Sequence, residues 1–503
     1  MIITRSTRNS VLFVAFACVL ALGPFSAFAA DSTEPLEPSP VAGEPSTSGL
    51  TPVPDGGAMP GSSLLGDSQI IPTYQCAPET DCAVRACMVG PSGQYWFRAD
   101  YLLWRTRGVD LVPLVTTSDV EDQGIIGNDT TRILFGNDRI NGDSHSGTSI
   151  KFGWWFHCGR TAGVEFDFLT LGERGTDFYY SSSSTGYPLY ARPFDDVNPE
   201  SLGSNAELIS ETPWLRGTVD GRVDEYFHSA GVNLRLNLCC HEPCCSCGCS
   251  EDCGECCEEE CGDGSCCSEM ECTRAAVYCR GLGSLLERFR PSRYRVDLIA
   301  GYRHYQLNDS LRVNESSLVL QNHDLLRAGT TIDLFDEFRS RNEFHGGELG
   351  VIAQIYRGCW SFEFLAKMAL GNNSQVVTIN GQTTIDTHQQ GDEPAVYGSG
   401  MLAMKNGTEG NIGRYTNDDF VVIPQFGAEI GYQMTCHMRA YVGYNLIYWA
   451  NVARAAEQVD YTLNSEYFPP ANPQPSGAAR PAFAWEDSNF WAQGLNLGLE
   501  YRF

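Results

Sequence analysis

At the end of the chain, Leu495, Leu497, Leu499, Tyr501 and Phe503 alternate with Gly494, Asn496, Gly498, Glu500 and Arg502. A period of two belongs to an extended strand whose two faces meet different surroundings. One face here is aliphatic and aromatic; the other carries glycine, amide and opposite charges. Such a strand needs a sheet that is wet on one side only, or a barrel wall set between lipid and a polar interior.

The pattern recurs. Val164, Phe166 and Phe168 oppose Gly163, Glu165 and Asp167, and Val232, Leu234, Leu236 and Leu238 oppose Gly231, Asn233, Arg235 and Asn237. Val296, Leu298, Ala300 and Tyr302 oppose Arg295, Asp297, Gly301 and Arg303. Further copies lie around 359–371, 419–434 and 437–450, with weaker ones at 94–104, 147–157 and 342–356. Together with the last strand that makes about ten, an even number as single-chain bacterial barrels require.

Link lengths separate a barrel from a soluble sandwich. The links after the second, sixth and eighth strands are very short: Cys158-Gly159-Arg160, Arg357-Gly358 and Thr435-Cys436. Those after the odd-numbered strands run to about thirty residues or more, which is the parity of short periplasmic turns and long outer loops. The expected fold is all-β: a membrane-spanning antiparallel up-and-down barrel of about 10–12 strands. Ser310–Gln321 with Thr330–Arg339 would supply a further pair hidden in a loop. The link after the fourth strand breaks the parity with a Cys-rich insertion, and both chain ends then fall on the periplasmic side.

The rest of the chain agrees with export. Arg5 and Arg8 precede an apolar run from Val11 to Leu22 and the stretch Ala27-Phe28-Ala29-Ala30, which reads as a signal peptide over 1–30. No later stretch holds the ~18 apolar residues of a transmembrane helix. Residues 31–93 form a Pro/Ser/Gly-rich linker with a small cluster of Cys76, Cys82 and Cys87. Barrel strands occupy 94–238 and 293–503, separated by the acidic insertion 239–292. That insertion ends in a segment, Thr273–Arg290, with the apolar spacing of a short helix. The net charge of −28 excludes nucleic acid as a partner, since phosphate binding needs clustered Lys and Arg.

Among the 21 cysteines, fourteen crowd the insertion: Cys239, Cys240, Cys244, Cys245, Cys247, Cys249, Cys253, Cys256, Cys257, Cys261, Cys266, Cys267, Cys272 and Cys279. In an oxidising periplasm such density means disulfides, and so polar a segment has little else to hold it. Cys244-x-x-Cys247 and Cys253-x-x-Cys256 also have metal-ligand spacing, whereas vicinal pairs such as Cys239-Cys240 do not fit a regular zinc module. Disulfides are the expectation and no resident metal or cofactor is assigned. Surplus thiols would cross-link to neighbouring envelope proteins.

The segment Trp96-Phe97-Arg98-Ala99-Asp100-Tyr101-Leu102-Leu103-Trp104, followed by Leu111-Val112-Pro113-Leu114-Val115-Thr116-Thr117, resembles the opening of the putative β-barrel porin-7 family. The closing run Gly494–Phe503 is similar to that family's end. The resemblance covers roughly residues 94 to 503 and implies a bacterial outer-membrane barrel. It carries no catalytic residues, and the Cys-rich insertion departs from a plain barrel.

Alternation also predicts which charges line the interior. The basic set is Arg98, Lys151, Arg235, Arg295, Arg303, Lys367, Arg439 and Arg502; the acidic set is Asp100, Glu165, Asp167, Asp297, Glu348, Glu363, Glu429 and Glu500. Eight against eight leaves the lumen near neutral. About eight strands give a barrel just filled by its own side chains and wide channels need about sixteen, so ten predict a narrow interior crossed by ion pairs. Trp96, Trp104, Trp154, Trp155, Tyr448, Trp449 and Trp491 are read as aromatic girdles at the membrane surfaces. Two functions stay open: porin-like passage of small solutes, or a structural or adhesive envelope barrel with a plugged lumen. An enzyme is not expected, because Gly142-Asp143-Ser144-His145-Ser146-Gly147 is no nucleophile elbow and no other motif joins a nucleophile to a base.

Overall fold

The computed structural model describes residues 93–241 and 293–503, apart from 158, 323–326, 390, 436 and 473–474. The expected signal peptide, the linker up to residue 92 and the cysteines from Cys244 to Cys279 lie outside them.

Ten long strands form the wall: β1 (Tyr95–Thr106), β2 (Ser144–Trp155), β3 (Ala162–Ser181), β4 (Leu215–His241), β5 (Arg293–Val319), β6 (Thr331–Arg357), β7 (Trp360–Asp386), β8 (Gly413–Gln433), β9 (Met438–Val452) and β10 (Ser488–Arg502). Each pairs antiparallel with the next, and β10 pairs back to β1 over eleven residues, from Trp96 opposite Arg502 to Thr106 opposite Ala492. Closure leaves no edge strand across the belt, whereas 172–181 of β3 and 413–424 of β8 run on past β2 and β9 and pair on one side only. The strand count settles at ten. Ser310–Gln321 and Thr330–Arg339 are the far ends of β5 and β6 rather than an extra pair, since Asn308 to Leu318 stay in register with Arg341 to Thr331. The ladder of β4 also runs on through Cys239, Cys240 and His241, so the insertion starts later than its cysteines indicated.

β4 to β7 each have 27 residues. At ~3.4 Å per residue that is roughly 90 Å, while a tilted membrane crossing takes about ten residues. The outward faces show where the crossing ends. On β4, Leu238, Leu236, Leu234 and Val232 give way to His228, Tyr226 and Asp224; on β5, Leu298, Ala300 and Tyr302 give way to His304, Gln306 and Asn308. The apolar segments are the lipid belt, and Leu349, Phe364, Phe426, Leu497 and Leu499 on it are all about half exposed. Beyond the belt the wall projects on the side of the long links.

Those links fold inward. Val219, Val223, Leu311, Val313, Phe338, Val377 and Ile379 on the inner face of the projecting wall form one core with Leu114, Val115, Phe194, Ile209, Met401–Met404, Ala453, Ala455, Leu463 and Tyr467 from the links. Within them, Tyr190–Asp196 pairs antiparallel with Gly203–Ser210 and parallel with Thr462–Leu463. The wall and its links are therefore one packed body at that end.

Candidate functional site

The interior carries the chemistry, in layers set by strand register. At the end of the short turns lies a charged layer. Every residue expected to line the lumen points inward, because each sits at the parity that puts Cβ on the inner face. Arg98 donates to Glu363 at 3.0 Å, to Glu429 and to Tyr441. Arg439 donates to Glu500 at 2.7 Å, and Arg502 also donates to Glu500. Asp100 accepts from the Tyr441 hydroxyl. A second group centres on Arg303, which donates to Glu348 at 2.7 Å and to Asp167; Lys367 lies 3.1 Å from Glu348. The third joins Arg235 to Asp297 at 2.6 Å and to Glu165 at 3.4 Å, with Arg295 on Asp297 at 2.7 Å. Lys151 is half-buried on the same face.

Small residues make room for these groups. A Cβ on Gly231 would come within 2.6 Å of the Arg303 guanidinium carbon, and one on Gly153 within 2.1 Å of the Trp96 ring. Glycine at the polar parity is therefore what lets large side chains lie flat against the wall.

These bonds cross the barrel as well as running along it. β1 and β7 are four places apart in the ring of strands, yet Arg98 on one meets Glu363 on the other. Lys367 of β7 likewise reaches to 3.9 Å from Asp167 of β3. Arg98 is 5% exposed, Glu348 1% and Asp297 0%, so water has almost no access between them. A charge buried this way holds only while its partner stays; removing one partner costs about 3–5 kcal/mol.

Above the charges lies an apolar layer. Leu102, Trp104, Leu171, Phe227, Tyr305, Leu307, Phe344, Ala369, Val421, Ile423, Ile447, Trp449, Phe490 and Ala492 pack into one buried cluster within the ring. Phe227 and Phe490 stand 5.1 Å apart between ring centres, Tyr305 and Trp449 6.0 Å. This corrects the girdle reading. Trp96, Trp104, Trp155 and Trp449 are buried on the inner face, Trp104 with its Nε1 donating to Asn496 at 2.7 Å; Trp154, Tyr448 and Trp491 take the outer parity. A tryptophan buried at a polar parity fills space that glycine leaves open, which a membrane girdle does not require.

A third layer is a second set of ion pairs that alternation in the sequence did not reveal. Arg454, from the link after β9, donates to Glu225 of β4 and to Asp309 of β5, and to the Gly108 carbonyl at 3.1 Å. Higher still, Arg192 lies 2.8 Å from Asp336 and 3.9 Å from Glu315. Asp309 and Glu315 continue the inward parity of Asp297 and Arg303 along β5. Their partners, however, come from links with no period to read.

Among the described residues, the group able to hold a metal ion is His304, Glu343 and His345, on the outside of the wall. Cys359, in the tight turn from β6 to β7, is disulfide-bonded.

A family model described as putative beta barrel porin-7 matches residues 96–503. No curated protein matches the chain. Among solved structures, the outer membrane protease OmpT from Escherichia coli is 9% identical with a TM-score of 0.33, over 82% of this chain and 97% of that one. The CymD monoaromatic hydrocarbon channel is 7% identical with a TM-score of 0.17, over 84% and 93%. The P. putida toluene transporter TodX is 8% identical with a TM-score of 0.16, over 82% and 90%. Similarity this slight carries no argument about what the present chain does.

Proposed function

We propose that this chain, which belongs to the putative β-barrel porin-7 family, works in the bacterial outer membrane as a closed barrel that presents a folded outer surface and does not conduct. The observation that supports this is the stacking of two fillings in one lumen: charges bonded from wall to wall, then an apolar layer of Trp104, Phe227, Phe344, Trp449 and Phe490. An ion would have to break buried pairs and then cross a dry layer, and both steps are costly. The projecting wall and its inward-folded links then serve as a rigid platform of acidic loops. The Cys-rich segment, on the opposite side of the membrane, would form disulfides within itself or to neighbouring envelope proteins. No catalytic step belongs to this reading.

Passage of small solutes is the second reading, favoured by the family's description. It requires the apolar layer to move aside. Planar-bilayer recording of the purified full-length protein separates the two. Silence at all voltages is expected; reproducible unitary steps would replace the closed barrel with a gated pore.

A further inference from the structure

The outer face of the wall carries a cluster of potential ligand side chains that is separate from the lumen. His304 on β5 lies directly opposite His345 on β6, and Glu343 is the next residue along the same face of β6. One ligand atom from each of the three lies within 4.8 Å of the others. The His345 Nε2 is already 3.4 Å from Glu343 Oε1. Ligands bound to zinc at ~2.0–2.1 Å in a tetrahedron sit roughly 3.3 Å apart, so small rotamer adjustments suffice.

The surroundings orient these atoms. The Nδ1 of His304 lies 3.2 Å from the Phe344 carbonyl, to which it can only donate, leaving Nε2 as the ring's free ligand atom. The Nδ1 of His345 lies 2.6 Å from the Tyr302 hydroxyl, which again leaves Nε2 facing Glu343. Arg341 donates to Glu343 Oε2 at 2.7 Å and so leaves Oε1 to face the imidazoles. Backbone, hydroxyl and guanidinium partners of this kind hold metal ligands in place in established sites. A plain aromatic border between lipid and water has no need to gather two imidazoles and a carboxylate with ligand atoms within 4.8 Å of one another. The His228 ring, 5.7 Å from His304, continues the row on β4.

We propose that His304, Glu343 and His345 bind a divalent cation of the zinc class at the outer boundary of the lipid belt. Two imidazoles and one carboxylate select zinc, nickel or copper over calcium or magnesium, which take oxygen ligands. Three protein ligands leave a coordination position for water or for a donor group arriving from outside the barrel.

The test uses the full-length protein without a histidine tag, in detergent, titrated with Zn²⁺ and with Co²⁺. Folding of each variant is checked by the heat-dependent shift in gel mobility. Cysteine thiolates also bind such ions, so the readout is a difference in number. The wild-type protein should bind one more ion than the double variant His304→Gln with His345→Gln. The Co²⁺ lost should show no thiolate charge-transfer band. Tyr302→Phe should keep the ion but bind it about 10-fold more weakly. Equal ion counts in wild type and double variant, with both folded, would overturn the proposal.

Discussion

The Arg454 guanidinium, carried on the link after β9, lies 2.5 Å from Glu225 on β4, a strand five places away around the ring in either direction. One side chain at the barrel mouth is thus shared by two buried carboxyl groups, Glu225 and Asp309. Replacing it by alanine leaves both facing each other without a cation. Arg454→Ala should lower stability by about 3–5 kcal/mol, and Asp309→Asn in the same chain should restore part of that loss. Denaturant unfolding in detergent checks both. An Arg454→Ala protein as stable as wild type would mean that the link does not hold the mouth.

The apolar layer makes a second demand. Trp449 is fully buried with Tyr305 and Phe344 against it. Truncating it empties the middle of the lumen while the wall ladder stays whole. Trp449→Ala should cost about 3–5 kcal/mol. Combined with Trp104→Ala and Phe490→Ala, it should turn a silent protein into one with measurable bilayer conductance. A folded triple variant that stays silent would move the barrier from the apolar layer to the charged one.

The sequence carried the wall more plainly than its contents. Leu495 to Phe503 and Val232 to Leu238 show alternation because one side meets lipid, and the contrast with Glu500 or Arg235 is large. The same parity placed Arg98, Asp297 and Glu363 inside. It also placed Trp96 beside Arg98, but reading tryptophans by chemical type assigned them to the membrane surface. Beyond His304 on β5 both faces turn polar or mixed, so alternation in hydrophobicity fades while the strand continues. Arg192 and Arg454 were illegible for another reason: no period marks a link that folds back on a barrel.

Asp196 links the outer loops to each other and gives them a dependence on pH. Its carboxylate accepts from the Asn198 amide at 2.9 Å, the Ser201 hydroxyl at 2.6 Å and the Ser465 amide at 3.2 Å. Burial opposes the charged form, but these hydrogen bonds outweigh it and hold the pKa below the usual carboxylate range. A depressed folded-state pKa gives stability that is whole above the unfolded value, about 3.9, and is lost as pH falls through the folded one. Neighbouring Glu207 behaves oppositely, because burial pushes its pKa up despite Arg192. Hydrogen exchange at Asp195–Asn198 and Thr462–Ser465 should therefore speed up below about pH 4 in wild type. In Asp196→Asn that acid-dependent step should be missing. If it persists in the variant, another group controls the junction.

The assignment of the two faces rests on Leu497, midway along the outward row of β10 and 52% exposed. In water a leucine there would be a minor liability and an arginine an improvement. Facing hydrocarbon, arginine near the midplane should cost ~2–4 kcal/mol, falling to ~0–1 near the interface. Leu497→Arg should therefore lower folding stability in lipid vesicles far more than Phe503→Arg, which lies at the end of the same row. The comparison controls for lumen effects, since Phe503 directly follows β10 and shares its outward face with Leu497. Equal, small effects at the two positions would put water where the barrel requires lipid.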